Sequence, residues 1–356
     1  MLAFKRIGRA KFALVLTAAI AFAFAACGGN TGGDVRLQGA GATFPNPLYQ
    51  KWLSEYGKLH SNVKIDYQSI GSGGGIKQIQ SRTVDFGASD SPMKDEDLRA
   101  APGPILHIPT VLGAVVITYN LSGVSQPLRF PPDVIADIFL GKIKKWSDQR
   151  LKTDNPGVTL PDSDITVVHR SDGSGTSAVF TDYLSKVSPE WKEKVGAGTS
   201  PNWPVGLGGK GNEGVTGQVK QTPNTIGYVE LAYAAQNKLP VGLVKNKSGN
   251  FVEPSIDAVT SAAAAAVAAT PDDLRVSITD AAGPTAYPIS SYTYILVYQE
   301  QQDPAKGKIL VDFLWWGIHD GEKFAKDLLY APLPDEIVKR AEAKINLITA
   351  GGKPLR

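Results

Sequence analysis

Four short segments of the chain combine glycine with hydroxyl residues: Gly39-Ala40-Gly41-Ala42-Thr43-Phe44-Pro45, Ser69-Ile70-Gly71-Ser72-Gly73-Gly74-Gly75, Asp85-Phe86-Gly87-Ala88-Ser89-Asp90 and Arg170-Ser171-Asp172-Gly173-Ser174-Gly175-Thr176-Ser177. Glycine lets the main chain approach a ligand closely, and Ser or Thr adds a side-chain donor. In the fourth segment a strand ends at His169-Arg170 and Gly173 and Gly175 open a helix, which is where open α/β sheets receive ligands. Arg170 can grip two oxygens of an oxyanion at once, and Asp172 can hydrogen-bond the guanidinium and fix its orientation. Ser174 and Thr176 can donate, and the N–H groups of Gly175 and Thr176 lie in the first helical turn. The implied ligand is a desolvated oxyanion held mainly by hydrogen bonds. Asp90 narrows it further. A carboxylate repels an anion unless the anion carries a proton to donate. A site containing Asp90 selects a partly protonated oxyanion, which at pH 7 describes phosphate and excludes sulfate.

Other chemistries find little support. Gly71–Gly75 is followed by no Lys-Ser/Thr pair, and in Gly206–Gly211 a glycine stands where a Walker loop needs a hydroxyl. A phosphatase or serine hydrolase built on Ser174 needs a base, and His169 is the nearby candidate. Gly-Ser-Gly-Thr is not the Gly-x-Ser-x-Gly elbow of such enzymes. The chain has 4 His and 1 Cys, with no clustering that suggests a metal site. We therefore expect a binding protein with no catalytic residues, no cofactor and no metal. The rival readings are that hydrolase, or a binder of sulfate, molybdate or a phosphonate.

The elements that must position these segments alternate along the chain. Strand patterns occupy 35–37, 63–67, 84–88, 165–168, 226–229 and 292–297. Helical patterns occupy 46–60, 74–81, 92–100, 132–140, 175–184, 305–313 and 335–345. Residues 105–120 include the apolar run Val111–Ile117, suited to a strand buried on both faces or a crossing between lobes. The Ala-rich stretch Ala262–Ala269 predicts a surface helix with no ligand role. The order is that of an α/β layered fold.

The 356 residues suffice for two domains, and 42% hydrophobic with 20% charged residues is ordinary for a soluble protein. The net charge of +3 includes Lys5, Arg6, Arg9 and Lys11 in residues 1–26, which hold no acid, so the remainder carries −1. That balance argues against nucleic acid as a partner. Residues 1–26 have the cationic and apolar regions of a signal peptide. Cys27 follows Ala25-Ala26 as in a lipobox, although Phe24 replaces the usual Leu. Residues 1–26 are thus expected to be a lipoprotein signal peptide, Cys27 the lipidated residue and 27–34 a flexible tether.

At Gly39–Pro45, Gly71–Gln80, Thr83–Pro92, Leu140–Trp146, Asp172–Ser177, Trp203–Asn212 and Ile226–Glu230 the chain resembles the phosphate-binding proteins of high-affinity, Pst-type phosphate ABC transporters. The motifs share order and near-identical spacing from about residue 37 onward. The resemblance implies a two-lobed periplasmic-binding-protein fold of type II, closing over one phosphate in an interlobe cleft. It implies lobe I from 35–110 plus 286–356, and lobe II from 111–285. Its ligand residues fall on Thr43, Phe44 (through its backbone N–H), Ser72, Asp90, Arg170, Ser174, Gly175 and Thr176. Gly73 stands where some members have a second Ser, and His169 where some have Arg. It further implies a monomer in the cell envelope outside the cytoplasm, anchored by lipid and serving the transmembrane subunits of an ABC permease. Residues 245–280 match poorly, and no role is expected for them.

Overall fold

The computed structural model describes residues 34–124 and 126–356. The expected signal peptide, Cys27 and the tether through Gly33 lie outside the described residues. One eight-stranded sheet organises the rest. In chain order its strands are β1 (Val35–Gly41), β2 (Val63–Ser69), β3 (Phe86–Ser89), β4 (Ile105–Asn120), β5 (Thr166–Arg170), β6 (Leu207–Gly209), β7 (Thr225–Glu230) and β8 (Ser290–Tyr298), with spatial order β2-β1-β3-β8-β4-β7-β5-β6. β2, β1 and β3 run parallel, as do β6, β5 and β7. β8 is antiparallel to β3, and β4 is antiparallel to both β8 and β7.

β4 is the joint between the two halves. Its residues from Ile105 to Ala114 pair with β8, and those from Val115 to Asn120 pair with β7. The apolar run is continuous because nearly every residue of this strand is buried, with a strand on either side and helices over the faces. The ladder slips once, at Thr293/Tyr294 opposite Pro109. Proline offers no N–H to a ladder, so it is tolerated at such a bulge.

Each half has its own aromatic core. Trp52 and Tyr56 of α1 (Asn46–Leu59) meet Phe313 and Trp316 of the helix Pro304–Gly317, with Tyr56 and Phe313 edge-on at 5.2 Å, and Tyr49 stacks on Trp52. In the other half, Phe180 of α3 (Gly175–Val187) stacks on Tyr228 of β7 at 4.4 Å. The second helix, α2 (Ser72–Gln80), packs where glycine is required. A Cβ on its Gly75 would lie 2.6 Å from Gly41 Cα and 2.7 Å from Ala88 O, so the helix sits directly on β1 and β3.

Most expected elements are present with ends shifted by a few residues. The strand expected from Val84 begins at Phe86, after a turn in which Arg82 has φ +53°, and the helix expected from Pro92 begins at Asp95. Four helices were not expected: Gln149–Asp154, Pro189–Lys194, Leu231–Gln236 and α4 (Gly211–Gln221), the last carrying Gly211, Gly214 and Gly217, poor helix formers that hide it. Gly214 has a packing role, since a Cβ on it would lie 3.1 Å from Gly209 C. A Cβ on Gly209 of β6 would meet Val215 N at 2.7 Å and Gly214 C at 2.8 Å.

The Ala-rich stretch differs from expectation. Its helix, α5, runs Ile256–Ala266 and ends in a 3-10 turn at Val267–Ala269. Ala262 and Ala263 are fully buried, and the helix packs on β4 and β8; only the opposite face, with Ala264 and Ala265, is exposed. Small side chains let it lie close to the sheet. Ala263→Glu should therefore destabilise the protein by about 3 kcal/mol or more, while Ala264→Glu should change it by less than about 0.5 kcal/mol. Paired urea unfolding curves check this, and equal midpoints would contradict the packing described.

Candidate functional site

Three of the Gly/hydroxyl segments start in the carboxyl ends of β1, β2 and β5, the fourth runs through β3 to end just beyond it at Asp90, and the fold brings all four to one point between the halves. Three of them lead into helices, α1, α2 and α3. Thr43, Phe44, Ser72, Asp90, Arg170, Ser174, Gly175 and Thr176 all lie here and all are buried. Gly175 is pressed against the other half. A Cβ on it would meet Ser72 Oγ at 2.2 Å and Asp90 Oδ2 at 2.4 Å. Gly73 N–H donates to Gly173 O at 2.8 Å across the same seam, so the cleft is closed. A cavity of about 510 Å³, lined by residues of both halves including Ser91, Val179 and Thr199, reaches Asp90 from outside.

Arg170 is fixed from several sides. Its Nε and Nη2 donate to Asp172 Oδ1 and Oδ2 at 2.8 and 2.5 Å, its Nη1 to Thr176 Oγ1 at 3.1 Å, and its backbone N–H to Tyr228 OH at 3.1 Å. Asp172 Oδ1 also accepts the Gly211 N–H at 2.9 Å. Burial alone pushes the Asp172 carboxyl up, but the Arg170 and backbone bonds prevail and hold it below the usual carboxylate value. Asp172 thus has the orienting place expected for it.

The donors follow from local geometry. Ser174 caps α3 by accepting the Ser177 N–H at 2.9 Å, which leaves its own O–H to donate. The Gly175 and Thr176 N–H groups precede the first intrahelical bond and have no partner within the helix. Thr43 Oγ1 accepts from Asn212 N–H at 3.2 Å and from Asn212 Nδ2 at 2.8 Å. Thr176 Oγ1 accepts from Arg170 Nη1 and from Asn212 Nδ2, each at 3.1 Å. A hydroxyl has two acceptor lone pairs and one proton. Thr43 and Thr176 therefore have only donation left.

Asp90 is the acceptor. Its Oδ1 takes the Thr293 hydroxyl at 2.8 Å, its Oδ2 faces Ser72 Oγ at 3.4 Å, and its carbonyl accepts from Ser291 Oγ at 3.2 Å. The β8–β4 ladder slips at this point, with Thr110 of β4 as the extra residue. Burial pushes the Asp90 carboxyl up to about 7, against the opposing pull of Thr293, Arg170 and Ser72.

A family model described as a PBP superfamily domain matches residues 28–319. The phosphate-binding protein PstS of Xylella fastidiosa is 47% identical over 311 residues, covering 87% of this chain and 85% of its own. That of Methanocaldococcus jannaschii is 42% identical over 337 residues, covering 88% and 86%. The chain belongs to the PstS family. The two-lobed fold is shared with a phosphate-binding protein from Stenotrophomonas maltophilia, with a TM-score of 0.66 and 20% identity over 87% of this chain and 93% of that one. A high affinity periplasmic phosphate-binding protein solved with phosphate gives a TM-score of 0.68 at 21% identity over the same shares. At such identity the likeness is one of fold.

Within this PstS-family site the hydrolase reading loses its base. His169 stacks on Trp203 with ring centroids 4.9 Å apart, and its Nδ1 meets the Arg170 carbonyl at 3.0 Å. Among the described residues no hydrogen bond joins it to Ser174. Gly73 has room for little more than hydrogen, since a Cβ would lie 3.1 Å from Gly173 Cα. The sequence reading did not single out Asn212, Ser291 or Thr293. Asn212 lay at the end of a noticed motif, but its helix was masked by glycines. Thr293 sits in an apolar strand and reaches Asp90 because it neighbours Tyr294, the partner of Ser89 in the β3–β8 pairing, a non-local contact that leaves no sequence signal.

The raised Asp90 value has a testable sign. A carboxyl whose folded pKa exceeds its unfolded one stabilises the fold fully below the unfolded value, 3.8, and that contribution fades as pH rises through about 7. Without phosphate, Asp90→Asn should therefore gain stability over the wild type between pH 4 and pH 8, by up to about 4 kcal/mol. Denaturant titrations of both proteins at a series of pH values check this; a pH-independent difference would contradict it.

Proposed function

We propose that this protein binds one inorganic phosphate in the cleft between its lobes and delivers it to the membrane subunits of an ABC permease for import. It is a binding protein and not an enzyme. Hydrogen-bond polarity carries the ligand assignment. The hydroxyls of Thr43 and Thr176 can only donate, while Asp90 is a buried acceptor. That combination suits an oxyanion with several bare oxygens and at least one P–OH. The proposed ligand set is Thr43, Phe44 through its N–H, Ser72, Asp90, Arg170, Ser174, Gly175 and Thr176, with Asp172 orienting Arg170. The names of the relatives, PstS phosphate-binding proteins, support the same ligand.

We place lobe I at 35–110 plus 286–356 and lobe II at 111–285, a division supported by the change of partner within β4. Titration calorimetry should give one phosphate per chain and no sulfate binding at comparable concentration. Arg170→Ala should cost roughly 2–5 kcal/mol of phosphate affinity, because the anion loses charge-assisted hydrogen bonds and Asp172 is left without its partner. Equal phosphate and sulfate affinities, or a loss under about 0.5 kcal/mol, would overturn the assignment.

The protein works outside the cytoplasm as a monomer, lipidated on Cys27 and tethered beside its permease. The cationic and apolar leader and the lipobox-like placing of Cys27 support this. A tether raises the effective concentration at the permease, and two acyl chains suffice for stable attachment. Among the described residues no helix is long and apolar enough to cross a membrane. Cys27→Ser should release the protein to the soluble fraction or leave it uncleaved, with phosphate affinity unchanged. Intact mass is the direct check, and a mature chain starting beyond Cys27 without lipid mass would refute the anchor.

A further inference from the structure

Asn212 touches more of the site than any residue outside the proposed ligand set. It opens α4, is fully buried and uses every polar group it has. Its Oδ1 accepts the Glu230 N–H at 2.9 Å. Only an acceptor can face that N–H, so chemistry settles the orientation of the amide and Nδ2 must point the other way. Both Nδ2 protons are then used, one on Thr43 Oγ1 at 2.8 Å and one on Thr176 Oγ1 at 3.1 Å. The backbone N–H adds a second bond to Thr43 at 3.2 Å.

The two threonines come from opposite halves of the sheet. Thr43 follows β1, whereas Thr176 opens α3 after β5. From this the geometry points to Asn212 as the positioning residue that sets the hydrogen-bond polarity of the phosphate cleft, by filling acceptor lone pairs on Thr43 and Thr176 so that both hydroxyl protons are directed at the anion. The assignment rests on the phosphate reading above and deepens it. An unconstrained hydroxyl can turn and accept a P–OH, so it does not distinguish protonation states. Here two hydroxyls are denied that choice, and acceptance is confined to Asp90 and the seryl oxygens. Asn212 would thus sharpen the choice of phosphate while joining the lobes, because its bond to Thr43 spans the seam.

Asp at 212 is the sharp test, being the same size. One oxygen still accepts from Glu230 N–H, but the other now accepts where Nδ2 donated. Both threonyl protons can then turn to the new carboxylate and away from the ligand. The ionisable and charged groups around position 212 are Arg170 beyond Thr176, Asp172 at Gly211, the neighbouring Glu213, Glu230 behind and Asp90 across the cleft. All are common to the wild type and the variants. Phosphate calorimetry on wild type, Asn212→Asp and Asn212→Ala from pH 5 to pH 8 separates the outcomes. At pH 8, Asn212→Asp should bind at least about 100-fold more weakly than wild type, having lost two donors to a charged ligand. Asn212→Ala should lose less, about 10-fold. Towards pH 5 the Asp variant should recover relative to wild type as its new carboxyl protonates and regains a donor, while the Ala ratio stays flat.

Equal losses in both variants with the same flat pH profile would reduce Asn212 to a packing role and overturn the assignment. So would variants that bind like a phosphate-binding wild type. A wild type that does not bind phosphate would overturn the functional reading first and this assignment with it. If Asn212→Asp shows no cooperative thermal transition, the double-mutant cycle of Asn212→Ala with Thr176→Val decides. Losses well short of additive are expected, because both changes remove one interaction, and additive losses overturn the proposal.

Discussion

The bidentate pair of Arg170 and Asp172 sets the terms for everything else in the cleft. Both Asp172 oxygens are bonded to the guanidinium, so the cation at the centre of the site is already matched before an anion arrives. Asp90 adds a further acid on the opposite wall. An anion here is not drawn to excess positive charge. It is held by oriented N–H and O–H dipoles, which are strong because the surroundings are buried and cannot reorganise as water would. This explains why the cleft closes so tightly. Solvent between Gly175 and Ser72 would screen the dipoles on which retention depends.

Tight closure in turn dictates the glycines. The segments meet at close quarters: Gly73 packs main chain to main chain on Gly173, and Gly175 lies against the side chains of Ser72 and Asp90. Three of the Gly/hydroxyl segments lead into helices. The strand ends and helix starts are thus brought within hydrogen-bond reach without long side chains. Such a site gives up the adaptability of a lysine-lined pocket and gains shape discrimination.

Much of this is legible in the sequence, because it is written in local chemistry. Arg170 at a strand end and Gly175 in the first turn of a helix are short-range features, and the structure places both there. The alternating elements and the apolar run of β4 were equally readable from periodicity. What escaped detection was non-local. Asn212 matters because it meets Thr43, 169 positions away, and its helix is disguised by three glycines, of which Gly214 packs on Gly209. Thr293 reaches Asp90 across 203 positions beside an irregularity in the ladder. The Ala-rich helix was placed on the surface because alanine suits either environment, and only the neighbouring sheet shows that one face is covered. The leader and Cys27 lie outside the described residues, so that part of the reading stands on sequence alone.

The change of partner midway along β4 has a consequence for the integrity of the chain. Neither half of the sheet is complete without this strand, and its residues from Val111 to Ile117 are wholly buried. Losing β7 and its neighbours to proteolysis or truncation would not leave a smaller receptor. It would leave a long, uncharged, apolar edge with unpaired main-chain groups, which is a template for pairing with another chain. The halves are therefore not interchangeable modules. They stay soluble as a pair, and damage to one becomes an aggregation hazard in the other.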